Sequence, residues 1–288
     1  MTSASNGLSL RLDQPLWRFS SPDETEEAEE VGVDSWEECL MLLQDNLEDI
    51  GVSKERCPAL AAVLYSCYLH TQSLLLAGPR GKAVADAFSL ALCGKPAARL
   101  ECCGPFDPAA LDAAADAESE VISVFTPFSP GWIEPLTQLA EDQKKILFLT
   151  LPFAEDLKVE PKGLFSYVLP VFTETFMLRG SKSNPSVAEF SEFWHPTPKY
   201  RKLKYGRLFR QMCASPFVLG LFQQIISAAE EWLESDELKE EAEFLYGLLP
   251  YAYVAGQTEK LSDVLTRSHL DPSLKSLLKH LSDEAFSD

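Results

Sequence analysis

The feature that most constrains this chain is a series of five short, largely apolar runs, at residues 73–77, 98–102, 121–125, 146–150 and 171–178. Stretches patterned as helices, at about 82–93, in an Ala-rich segment that Asp107-Pro108 can cap, and at 132–141, separate the first four. A longer loop carrying Pro152, Pro161 and Gly163 precedes the fifth. Runs without polar alternation belong to strands covered on both faces, and helices between them act as crossovers. The pattern therefore predicts an α/β layer built on a mostly parallel five-stranded sheet.

Two helices precede this layer. Trp36, Leu40, Leu43, Leu47 and Ile50 recur at helical spacing behind Asp34-Ser35 and end at Gly51, and a second helix spans about 57–70. The first 34 residues carry the acidic run 23–30 and read as a solvated, flexible lead-in. After Gly180 the strand signal stops, and helices are expected at about 186–194, 199–213, 217–234, 236–248, 258–267 and 272–285. The expected organisation is an acidic segment at 1–34, an α/β core at 35–180 and an all-α, lid-like domain at 181–288.

The balance of 25 Lys+Arg against 44 Asp+Glu gives a net charge of −19, whose field repels polyanions, so nucleic acid is an unlikely partner. No apolar stretch approaches the roughly 20 residues a membrane span requires, and the N-terminus lacks a basic-then-apolar signal pattern. With seven cysteines and no paired metal-ligand spacing, the chain reads as a reduced, cytoplasmic protein that does not engage membranes. The four histidines lie far apart in sequence and suggest no metal site.

The first apolar run enters a turn and then a helix, reading Leu76-Ala77-Gly78-Pro79-Arg80-Gly81-Lys82-Ala83. Such junctions present backbone amides and a helix N-terminus to phosphate. With two helices before it, four more runs after it and a helical tail, the chain resembles the nucleotide-binding core of AAA+ P-loop NTPases over about residues 36–285. The resemblance implies a sheet with the first strand between the fifth and the fourth. It also implies a nucleotide contact through Gly78, Arg80, Gly81 and Lys82, with Thr150 as the polar residue ending the fourth strand.

The departures from that pattern are chemical. A P-loop has four residues between its glycines and a hydroxyl after its lysine to hold Mg²⁺. Here two residues separate Gly78 from Gly81, and Ala83 follows Lys82. The third run continues into Thr126-Pro127-Phe128 without the carboxylates that hold metal and polarise water, and Lys162-Gly163 stands where an intersubunit arginine is usual. The expectation is a degenerate fold without catalytic residues, binding ATP or ADP weakly or not at all. It would serve as an assembly module for a protein partner such as an active AAA+ ATPase of a prokaryotic multi-subunit system. The rival enzyme reading is an ATPase with a rearranged site using Lys82 and carboxylates such as Glu101 or Glu120.

Residues 199–210 hold six basic side chains in twelve, Lys199, Arg201, Lys202, Lys204, Arg207 and Arg210, with Tyr200, Tyr205 and Phe209 interleaved. On a helix they would form a patch for an anion, a nucleic acid or an acidic partner, or for the chain's own 23–30 segment. A solvated face offsetting nearby acid is the plainer alternative. The loop 152–156, with Phe153, lies at the sheet edge where α/β proteins place ligand sites.

Overall fold

The computed structural model describes residues 17–20, 29–125, 131–142, 144–158, 162–176, 180, 184–212 and 215–261, with residues 264, 272 and 276. Its centre is a six-stranded sheet of β1 (Trp17–Ser20), β3 (Ser73–Ala77), β4 (Ala98–Cys102), β5 (Val121–Phe125), β6 (Ile146–Leu151) and β7 (Val168–Phe172). The order is β1-β4-β5-β6-β3-β7. The five expected strands are all mutually parallel, and β3, the first apolar run, lies between the fifth and the fourth. Every residue of β3 is buried, so its leucines contact packing partners on both faces, as an uninterrupted apolar run requires.

Helices α1 (Trp36–Asp49), α2 (Cys57–Leu69) and α3 (Gly81–Cys93) form beside the sheet. Ser35 caps α1 by accepting the Glu38 amide, and Pro58 sits in the first turn of α2. Helix α3 packs on β5 and β6 and against α1. Asp107 caps α4 (Pro108–Ala115), as Asp107-Pro108 suggested, and α5 (Ile133–Glu141) packs against α4. No helix among the described residues is long and apolar enough to cross a membrane.

Several expectations need correction. The first 34 residues contain two strands. β1 pairs antiparallel with β4, where Trp17 Nε1 donates to Asp107 Oδ2 at 2.8 Å, and β2 (Glu30–Val33) pairs parallel with β8 (Val187–Phe190). The region after 180 is therefore not all-α, because the expected helix at 186–194 is strand β8. Its backbone is claimed from outside: the Asn46 side chain takes both Ser186 backbone groups, and Val187 N–H donates to Glu29 O. The fifth strand starts earlier than its strongest apolar run, at Val168, and ends at Phe172 in a 3₁₀ turn, Thr173–Phe176. Pro170 fits there because β7 is an edge strand.

From Gly206 the described residues of the C-terminal region are mainly helical: α6 (Gly206–Met212), α7 (Pro216–Ala229), α8 (Asp236–Glu243), a π turn at Phe244–Leu248 and α9 (Leu249–Val254). Helices α7 and α8 pack on α2, and one apolar cluster runs from Val33 to Leu261. The buried Arg56 at the start of α2 meets Glu241 of α8 at 2.5 Å. Past the 3₁₀ turn Thr258–Leu261, the expected helices at 258–267 and 272–285 lie largely outside the described residues, as do 126–130 and most of the acidic run 23–30.

Asn46 is the buried link that holds β8 to α1. Asn46→Ala should lower stability by about 2–3 kcal/mol, because it leaves the Ser186 amide and carbonyl without their partner. Chemical denaturation checks the size, and limited proteolysis should show new cleavage near 184–190.

Candidate functional site

The turn between β3 and α3 carries Gly78, Arg80, Gly81 and Lys82, and Thr150 of β6 packs against Gly81. Its two glycines, however, are crowded by neighbouring side chains of the protein. Gly78, at φ +116°, lies so close to β7's end that an added Cβ would sit 2.5 Å from Thr173 Oγ1. At Gly81 an added Cβ would come within 2.9 Å of Thr150 Cγ2. Both glycines are needed because neighbouring strand ends press on the turn. Gly78 N–H is already committed to Leu151 O at 3.0 Å.

The other members of the turn are equally engaged or turned outward. Arg80 adopts φ +66°, uncommon for a side chain with a Cβ, and its guanidinium donates to Ile50 O at the end of α1. That contact satisfies a helix-terminal carbonyl and favours a cation at the negative end of the α1 dipole. Thr150 Oγ1 donates to Val124 O at 3.0 Å, which ties its hydroxyl into the sheet. Lys82 is exposed in the first turn of α3. Of the carboxylates suggested for a rearranged site, Glu101 lies on β4 opposite Arg18 of β1, while Glu120 precedes β5 and receives Cys93 Sγ–H at 3.9 Å. Both β4 and β5 lie on the far side of β6 from β3.

The basic segment departs from expectation in conformation. Residues 199–205 are not helical; only 206–212 form a helix, α6. Pro196 and Pro198 precede it, and Ser227 Oγ takes both the N–H and the C=O of Arg201, so the i→i−4 ladder cannot form there. Arg201 pairs with Glu231 at 3.1 Å and Lys204 with Glu240 at 2.8 Å. Tyr205 donates its backbone N–H to Glu243 at 2.5 Å and its hydroxyl to Glu240. Lys199, Lys202, Arg207 and Arg210 are exposed. The segment thus spends two cations and a tyrosine on the chain's own helical acids.

Those acids were not singled out by sequence, although Glu240 and Glu243 stand three apart on helix α8, whose first-turn acids Asp236 and Glu237 are exposed. Glu230, Glu240 and Glu243 are buried. Burial raises the Glu230 carboxyl to about 7, partly opposed by Lys239 and Arg201. Burial likewise raises Glu243 to about 8, against the stabilising Tyr205 N–H. A second unanticipated cluster joins Trp36, Tyr65 and Trp232: the two indole rings are 5.0 Å apart, and Trp232 Nε1 donates to Ser66 Oγ at 3.2 Å. Tyr65 OH is 2.8 Å from His195 Nδ1, whose ring burial biases towards the neutral form. Trp194 beside it is 94% exposed.

Two outcomes follow. Gly78→Ala should destabilise by at least about 2 kcal/mol, through crowding at Thr173 and a left-handed backbone, whereas Lys82→Ala should change stability by less than about 0.5 kcal/mol; thermal and chemical denaturation compare them. For pH, carboxyls raised to about 7 and 8 in the folded state bind more protons than the unfolded chain does between about pH 4.5 and 8. Their stabilisation is full below that window and is lost as pH rises through it. Unfolding free energies from pH 5 to 8.5 should show this decline, with a shallower slope in Glu243→Gln.

No protein-family model, curated protein or solved structure matches the chain.

Proposed function

We propose that this chain is a non-catalytic assembly module of AAA+-like architecture that acts by binding a protein partner, an active AAA+ ATPase being the partner class the resemblance suggests. The observation that carries the reading is the filled turn at 78–82. A phosphate-binding loop offers free amides around an open cradle, whereas here Gly78 N–H is bonded to Leu151 O and Thr150 and Thr173 crowd the glycines. The strand order β7-β3-β6-β5-β4 supports the architectural half of the proposal.

Three parts that hydrolysis would need have no counterpart at the turn. Ala83 stands where a hydroxyl would hold Mg²⁺, the turn is two residues shorter than a P-loop, and Thr150's hydroxyl is bonded to Val124 O rather than directed at a ligand. Exposed Lys82 leaves room for a weak, metal-independent anion contact at most. Internal pairing of Arg201 and Lys204 argues against the basic segment as a duplex-binding surface, since each cation spent internally is one fewer phosphate contact.

Calorimetric titration with ATP and ADP, with and without Mg²⁺, together with a phosphate-release assay, tests this. The expected result is no turnover and a dissociation constant of about 1 mM or weaker, indifferent to Mg²⁺. Mg²⁺-dependent turnover abolished by Lys82→Ala would establish a working, rearranged ATPase instead.

A further inference from the structure

A groove of about 360 Å³ opens between α1 and the start of α8. Trp36, Met41, Trp232 and Leu238 supply its apolar surface, and Glu37 and Glu234 stand on its rim. Met41 is 55% exposed, an unusual position for a large unbranched apolar side chain on a helix that otherwise buries its apolar stripe. The indoles are held from behind by Tyr65 and Ser66 of α2, so the groove is pre-formed rather than a gap between mobile side chains.

The charged residues that line it, Glu37 and Glu234, are both acidic. Residues 29–53, which include all of α1, contain no lysine or arginine, and neither do residues 211–238, which lead into α8. Glu37, Asp45, Glu234, Asp236 and Glu237 are all exposed on these two stretches. Lys239, the first cation after them, is within 3.8 Å of Asp236.

We propose that this groove is the partner site of the assembly module, and that its occupant is a basic amphipathic helix of another protein. Apolar anchors on one face of that helix seat between Trp36, Met41, Trp232 and Leu238, and lysines or arginines flanking them meet Glu37 and Glu234. The inference rests on the assembly-module reading and supplies its partner chemistry. Apolar anchoring with a charged rim is the helix-in-groove mode, in which burial gives affinity and complementary charge gives orientation and on-rate. A second copy of this chain is disfavoured because a self-complementary contact would set these acids against themselves. Nucleic acid is repelled by the same charges.

The test uses the full chain and a synthetic 18-residue peptide of leucine and lysine at helical spacing, titrated by calorimetry, with a leucine–glutamate peptide of the same pattern as its counterpart. The expected result is micromolar binding of the lysine peptide and none of the glutamate peptide. Glu37→Lys/Glu234→Lys should weaken the lysine peptide at least tenfold and confer binding of the glutamate peptide, and Met41→Ser should weaken the lysine peptide several-fold. All three positions tolerate change without unfolding because Glu37, Glu234 and Met41 are exposed. Lysine-peptide binding that ignores the charge reversal would overturn the proposal, as would sedimentation showing a dimer of the parent that the reversal dissociates. Nucleotide turnover, which would defeat the non-catalytic reading, leaves these binding results standing. Failed peptide binding likewise leaves the nucleotide titration intact.

Discussion

Strand β3 has hydrogen-bond ladders on both edges, to β6 and β7, and all five of its residues are buried. The remaining structure is organised around that placement. Because β3 is paired on both sides, the chain leaving it at Ala77 emerges between the ends of β6 and β7 and must turn within the space they leave. Thr150, at the fourth strand's end, and Thr173, just past the fifth, define that space. Only glycine fits at 78 and 81, because a Cβ there would run into Thr173 and Thr150. A central strand thus fixes both the architecture and the shape of the turn that follows it.

The same economy governs the charges. A chain of net charge −19 places carboxylates in its interior and then has to neutralise them. Glu240 does so with Lys204, Glu241 with Arg56, and Glu243 with the Tyr205 amide and a raised proton affinity. What the basic segment contributes is chiefly internal. Its first seven residues are not helical because Ser227 and Glu243 take hydrogen bonds that a helix would use. Of the acids that remain outside, Glu37 of α1 and Glu234 ahead of α8 line the exposed apolar groove.

The parallel sheet was legible because buried parallel strands appear as uninterrupted apolar runs, and β3, β5 and β6 appear so within a residue or two, while β4 alternates, with Arg99 and Glu101 half-buried between its apolar residues. Helix α1 was equally legible from its apolar spacing and Ser35 cap. The strands β1, β2 and β8 were not, because each is four residues long and gains its stability from a partner distant in sequence: β1 from β4, β2 from β8. Val187-Ala188-Glu189-Phe190 carries no period long enough to separate strand from helix. Tertiary hydrogen bonds from Asn46 decide it. At the turn, the resemblance implied that Thr150 would lie near Gly78–Lys82, but not that Thr173 would lie against Gly78, since that depends on where the fifth strand ends. The groove was hidden for a similar reason: Trp36 and Trp232 lie almost two hundred residues apart, and nothing local to either indicates that α1 and α8 face each other.

Amide hydrogen exchange at Gly78, resolved by NMR, tests the central claim most directly. An amide bonded to Leu151 O beneath two crowding threonines should exchange only on opening that disrupts the sheet, at a rate unchanged by ATP with Mg²⁺. Rapid exchange in the free protein that slows when nucleotide is added would show an open phosphate-binding turn and contradict the account.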